Sequence, residues 1–252
     1  MKKDIILQIS NNIIQKIQYK RKGILKPNYT IDKSIIHSID DFKVVVKNRK
    51  LFLLIENEEI YIKYLRVPKI EKSDLSCIIK NRLKYLYGKK SEEILYTYTI
   101  YKEEKSEIEI LIFCANCDRF NILFNSKDNY KLNKITLIQL WFFDHYEKLI
   151  SDKDCLFVFR YNKNIYLLSI VNKKIVGNKI IQQELISSIT DNIEYILHKS
   201  NSYDGNIKRI YSVNLSNDEI SKYIFSFYKY ESINLGFIED ESVLEHFAFS
   251  RR

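Results

Sequence analysis

Residues 155–180 read CLFVFRYNKNIYLLSIVNKKIVGNKI, two apolar strands meeting at a turn with a third behind them. Two runs rich in β-branched and aromatic residues, Cys155 to Arg160 and Asn164 to Val171, flank Tyr161, Asn162 and Lys163, the pattern of a short-loop β-hairpin. After Asn172 and Lys173 a third strand is expected from about Lys174 to Ile180. The same outline opens the chain. Asp4 to Ile9 and Ile13 to Tyr19 flank Ser10, Asn11 and Asn12, and Gly23 to Pro27 is expected to follow as a third strand. Two halves that each begin with a hairpin and end in helices imply one plan used twice.

At 252 residues the chain exceeds the roughly 100 to 200 typical of one domain, so two lobes around two cores are expected. With 46% apolar and 29% charged residues it has the composition of a folded chain and not of a disordered one. Only five glycines and two prolines occur, too few for a long flexible linker. The net charge of +9 admits nucleic acid, an anionic membrane face or an acidic partner. Lysines are, however, spread along a sequence rich in Ile, Lys, Asn and Tyr, as AT-rich coding produces, and only Tyr19 to Gly23 and Gly88 to Lys90 cluster, so a solvated surface is favoured. No signal-peptide pattern opens the sequence and no run of about 18 uncharged apolar residues occurs, which places the expectation in the cytoplasm with reduced cysteines.

Between the hairpins, Ser34 to Val46 reads as a helix, Leu51 to Ile55 as a short buried strand, and Ile60 to Val67 as an alternating strand ending at Pro68. Ser73 is expected to cap a helix with Leu75, Ile78, Ile79, Leu83 and Leu86 at helical spacing, stopped by Gly88. Ile94 to Tyr101 and Glu107 to Cys114 pair across a charged loop, and a helix from about Asn116 to Asn125 completes a small α+β unit over residues 60–126. Leu132 to Thr136 reads as a strand leading into a helix that runs to about Ile150. After the second hairpin come a helix from Gln182 to Lys199, a strand from Ile207 to Val213, and a helix opened by Ser216 and Glu219, an S-x-x-E capping box. The last strand spans Ser232 to Phe237.

In this order the chain resembles the actin-like ATPase superfamily, and within it the PilM scaffold proteins of type IV pilus machines and the cytoplasmic domains of GspL proteins. The passage YLRVPKIEKSDLSCIIKNRLKYLYGKKSEEILYTYTIYKEEKSEIEILIFCAN is similar to the family's strand, helix and two strands after a Leu-Pro-like step. CLFVFRYNKNIYLLSIVNKKIVGNKII resembles its second hairpin, and NIKRIYSVNLSNDEISKYIFSFYKYESINLGF its closing strand, helix and strand. The resemblance implies an α/β, actin-like (ribonuclease H-like) two-lobed fold with a small α+β insertion: residues 1–59 the first lobe, 60–126 the insertion, 127–252 the second lobe. It also implies a partner, the N-terminal cytoplasmic tail of a PilN-like bitopic membrane protein, with the pilus assembly ATPase as a further contact at the inner face of the cell membrane.

An active family member places an Asp and a Gly-rich turn in each hairpin, because bare backbone must approach phosphates and a carboxylate must orient hydrated Mg²⁺. Here the matching positions hold Gln8, Ile9, Ser10, Asn11 and Asn12, then Phe159, Arg160, Tyr161, Asn162 and Lys163, with Tyr161 expected to obstruct backbone approach. Where a Gly-Gly-Gly loop is implied stand Ser212, Val213, Asn214, Leu215 and Ser216. The expectation is a pseudo-ATPase with no catalytic, cofactor-binding or metal residues to name. An active actin-like ATPase related to FtsA and a basic nucleic-acid-binding module are the alternatives.

Other constellations are weak. Cys114 and Cys117 form a CxxC without a second ligand pair, and His37, His145, His198 and His246 are scattered singly. Adjacent acids, Asp40 with Asp41 and Glu58 with Glu59, read as solvated charge. Tyr61, Tyr64, Tyr96, Tyr98 and Tyr101 admit a base-stacking platform, a peptide-docking surface, or core residues in a Tyr-rich composition, the last favoured.

Overall fold

A computed structural model describes residues 5–10, 13–22, 28–116, 131–182, 189–215 and 230–249. The chain opens with β1 (Ile5–Ser10), β2 (Ile13–Lys22) and β3 (Asn28–Ile36), then α1 (Ile39–Val46) and β4 (Lys50–Glu56). A small excursion follows: β5 (Tyr61–Pro68), α2 (Lys72–Tyr87), a 3-10 turn (Gly88–Glu93), β6 (Ile94–Glu103) and β7 (Glu107–Asn116). Next come β8 (Lys131–Leu137) and α3 (Ile138–Tyr146), and then the second hairpin run, β9 (Cys155–Tyr161), β10 (Asn164–Val171) and β11 (Lys174–Gln182). The chain continues through α4 (Ile189–Asn201), β12 (Arg209–Val213) and β13 (Glu231–Asn234) to α5 (Asp240–Phe249).

Two five-stranded sheets form, in the orders β3-β2-β1-β4-β8 and β11-β10-β9-β12-β13. In the first, β1–β2 and β2–β3 are antiparallel while β1–β4 and β4–β8 are parallel. In the second, β9–β10 and β10–β11 are antiparallel while β9–β12 and β12–β13 are parallel. Order and directions therefore repeat strand for strand. Tight turns suffice for the antiparallel β9–β10 and β10–β11 pairs, whereas parallel returns need crossovers, to which α1 before β4 and α4 before β12 belong.

Contacts gather the chain into two compact units, residues 1–58, 119–148 and 238–252 in one, and residues 59–118 and 149–237 in the other. In the first unit β4 is buried from Leu51 to Glu56, as a strand flanked by parallel neighbours must be, and Phe42, Phe142, Val243 and Phe247 belong to its core. In the second unit β9 and β10 are apolar on both faces. One face, with Leu156, Val158, Ile165 and Leu167, packs on Ile193 and Ile196 of α4. The other carries Phe159 and Tyr166, directly opposed in the ladder, with their rings stacked at 4.8 Å.

The three-stranded sheet β5-β7-β6 lies in this second unit. Ile108, Ile110, Ile112 and Cys114 alternate along β7 onto Leu75, Ile79 and Leu83 of α2. Tyr101 donates its hydroxyl to Tyr203 O (3.1 Å), Asn178 Nδ2 donates to Ile60 O (3.3 Å), and Lys179 pairs with Glu59 (2.8 Å). These contacts hold the small sheet against the second five-stranded one.

Several element boundaries differ from the expected ones. Ser34 to Ile36 extend β3 and are not helical, because the ten-residue β2 offers ladder partners as far as Ile14↔Ile36. The helix begins only after Ser38, whose Oγ accepts from Asp41 N at 3.0 Å. Helix α2 starts at Lys72 with Glu71 as its cap, not Ser73, and Leu86 is exposed on it. Helix α3 ends at Tyr146, and Gln182 belongs to β11, paired with Asn164. Strand β12 begins at Arg209 and β13 covers Glu231–Asn234, and Asp240–Phe249 form α5. The expected strand at Gly23 to Pro27, the helix from Asn116 to Asn125 beyond its first residue, and the helix opened by Ser216 lie outside the described residues.

Candidate functional site

At the carboxyl ends of β1, β4 and β8 the first unit collects buried polar side chains, the place where parallel α/β sheets present ligand sites. Gln8 and Glu56 are both buried, and Gln8 Nε2 donates to Glu56 Oε1. Asn57, with a left-handed φ of 58°, donates Nδ2 to Ser10 Oγ at 2.9 Å. Gln139, fully buried in the first turn of α3, donates to Glu58 O at 2.7 Å, and Thr136 is buried beside it in sequence at the end of β8. Glu58 is only 8% exposed and Glu59 is ion-paired with Lys179, so neither is the freely solvated acid expected. The sequence signal was present in LFLLIE, where an acid ends an unbroken apolar strand. Asn11 and Asn12 lie outside the described residues.

In the second unit Asn162 and Lys163 make the two-residue turn between Tyr161 and Asn164, and Asn162 takes φ 52°. Asn tolerates this left-handed region better than other residues with a Cβ, so the turn keeps its shape without glycine. Tyr161 is 1% exposed. Its ring is packed away rather than standing off the turn, against expectation, because alternation along β9 sends residue 161 to the same side as Phe157 and Phe159. After β12, Asn214 again stands in a left-handed conformation, at φ 61°. Its backbone N–H donates to Gly236 O (3.1 Å) and its Nδ2 to Arg160 O (3.0 Å). Leu215 beside it is buried.

The small sheet carries an open cavity of about 420 Å³. It lies where β5 begins and β7 ends, lined by Tyr61, Lys63, Tyr87, Lys90, Cys114 and Asn116. Tyr61, Lys63 and Asn116 are exposed, whereas Cys114 forms buried floor. Burial pushes the Cys114 thiol up to about 11, with the Lys63 charge acting weakly the other way. Aromatic walls, an apolar floor and two ammonium groups suit an extended segment carrying an apolar side chain.

No family model matches the chain and no curated protein matches its sequence. Solved structures do match in fold. PilM in a PilM–PilN type IV pilus biogenesis complex aligns over 96% of this chain and 94% of its own at 9% identity, with a TM-score of 0.57. The cytoplasmic domain of EpsL, an inner-membrane component of the type II secretion system of Vibrio cholerae, aligns over 98% and 95% at 6% identity, TM-score 0.54. A Bacteroides thetaiotaomicron protein with an actin-like ATPase fold and unknown function aligns over 96% and 95% at 11% identity, TM-score 0.51. The fold is actin-like.

The remaining sequence candidates scatter across this actin-like frame. Tyr96 and Tyr98 pack against the α2 side of the small sheet, while Tyr64 and Tyr101 meet the Tyr203 ring at 6.0 and 5.7 Å, and Tyr61 lines the cavity. Period-two alternation separates residues 96 and 98 from 101, so no single platform forms. His145 and His246 come together, 5.1 Å between ring centroids, with His145 stacked on Trp141. Among the described residues no three His, Cys, Asp or Glu side chains gather to hold a metal ion. Cys155, buried at the start of β9, is pushed up to about 12 chiefly by burial. Thiolates are the reactive form. In native protein at pH 8, Ellman's reagent is therefore expected to modify exposed Cys77 readily and to leave Cys114 and Cys155 unmodified until denaturant is added, as peptide mapping would show.

Proposed function

We propose that the chain is a non-catalytic scaffold of a type IV pilus or type II secretion-like assembly platform. It binds the N-terminal cytoplasmic tail of a PilN-like bitopic membrane protein and is held by it at the inner face of the cell membrane, with the assembly ATPase as a second contact. The observation that carries this reading is the open cavity at the base of the small sheet, on a chain whose fold matches PilM in its complex with PilN over nearly its whole length. Loss of nucleotide chemistry is the second part of the proposal. A Mg-nucleotide needs backbone amides turned toward phosphate and a carboxylate turned toward the metal. We read the residues present as unsuited to that group, since the Asn214 amide is already bonded to Gly236 and Gln8 occupies the place of the hairpin acid. The rival reading, an active ATPase, draws its support from Glu56, a carboxylate at the strand end next to Gln8.

The test is isothermal titration of the full chain with synthetic cytoplasmic tails of the single-helix membrane proteins encoded beside its gene. Saturable binding by one tail is expected, and Asn116→Trp, which fills the cavity mouth from an exposed position, should weaken it at least tenfold. Absence of binding by every such tail would overturn the scaffold reading.

A further inference from the structure

Beside the cavity, and sharing Tyr61 and Lys63 with it, lies a smaller polar pocket of about 150 Å³. The amino-terminal end of β5, β11 and α4 form it, and they contribute Glu59, Lys63, Asn178, Lys179, Tyr195 and Lys199. Its charges do not balance. Glu59, the one carboxylate among these lining residues, is taken by Lys179 at 2.8 Å. Lys63 and Lys199 have no carboxylate in salt-bridge range among the described residues. Lys199 is half-buried in the last turn of α4. Burial, and then the Lys63 charge, holds its ammonium below the ordinary lysine range despite Glu59. A half-buried ammonium facing a second one is a standing electrostatic cost, and an incoming anion removes it.

We infer that the docked segment is acidic: an Asp or Glu side chain enters the pocket between Lys63 and Lys199 while a neighbouring apolar side chain fills the larger cavity. This rests on the reading of that cavity as a docking groove. Tyr61 and Lys63 are two residues apart on β5, about 7 Å along a strand, so the acid and the apolar residue of an extended partner fall within about two or three positions of each other. Strand β5 is an edge of its sheet, with β7 its one ladder partner among the described residues, and an extended segment suits such an edge.

The experiment is selection of a random peptide display library on the immobilised full chain, followed by fluorescence anisotropy with one selected peptide. The expected result is enrichment of Asp or Glu within three positions of an apolar residue. Binding should weaken at least tenfold in the Lys63→Glu, Lys199→Glu double variant, weaken less in Lys199→Met, and fall between about 50 and about 300 mM salt. Circular dichroism confirms that each variant is folded. Peptides that are blocked by Asn116→Trp but are neutral and indifferent to both lysines would overturn this inference and leave the docking groove standing. Failure to select any peptide sensitive to Asn116→Trp or to the lysines would overturn both.

Discussion

Gln8→Glu is expected to lower stability by about 3 to 5 kcal/mol at neutral pH, although it changes one atom of the side chain. Gln8 lies in β1 with its amide turned to Glu56, and both groups are buried. The amide donates to the carboxylate; a second carboxylate in its place offers only acceptors and repels. Two carboxyls confined to one buried site hold a proton between them, so in the folded variant one retains it above the ordinary Glu range. The unfolded chain releases that proton near pH 4.3, so between that value and the raised folded one the native state binds more protons. Stability then falls as pH rises, and the deficit against wild type should be small at about pH 4 and full at about pH 7. Urea unfolding of both proteins at the two pH values measures it. A variant with an unshifted midpoint at neutral pH would show that the pair does not hold the carboxyl ends of β1 and β4 together.

Phe159→Ala comes next in size, at about 3 to 5 kcal/mol. Phe159 is fully buried in β9, stacks face to face on Tyr166 of β10 at 4.8 Å, and touches the Phe157 ring at 5.5 Å. Removing the ring leaves a cavity in a strand pair buried on both faces, where no solvent-side movement can close it. Leu86→Ala is the control: Leu86 is exposed on α2 and its loss should cost less than about 0.5 kcal/mol. Equal midpoints for the two variants in urea would contradict the packing described for the second hairpin.

Both hairpins were legible in the sequence because their residues carry the information locally. CLFVFR and NIYLLSIV are β-branched and aromatic, and the two-residue turn of Asn162 and Lys163 closes them. The echo between the two halves was legible in that pattern, whereas the order of the strands in each sheet was not. Ser34 to Ile36 are strand and not helix because three residues fit a helical or an extended period equally, and only the length of β2 decides between them. The partners of Glu56 and Glu58 were illegible for a different reason. Sequence neighbours say nothing about which strand ends meet, and the partners Gln8 and Gln139 lie 48 and 81 residues away. The pairing of the small sheet with the second five-stranded sheet was equally hidden, since Tyr101 to Tyr203 and Asn178 to Ile60 span 102 and 118 residues.

Asn48, Asn57, Asn162, Asn172 and Asn214 all adopt left-handed backbone angles, so asparagine keeps the turn geometry that glycine would supply. A side chain nevertheless stands on each of these turns, and at Asn214 that side chain and the backbone amide are both committed within the protein. The fold is actin-like, and loss of its nucleotide chemistry is the proposal to be tested. Titration of the purified full chain with a fluorescent ATP analogue and Mg²⁺ tests this most directly. No saturable binding through the micromolar range is the predicted result, and saturable binding at low micromolar concentration, competed by ATP, would contradict it.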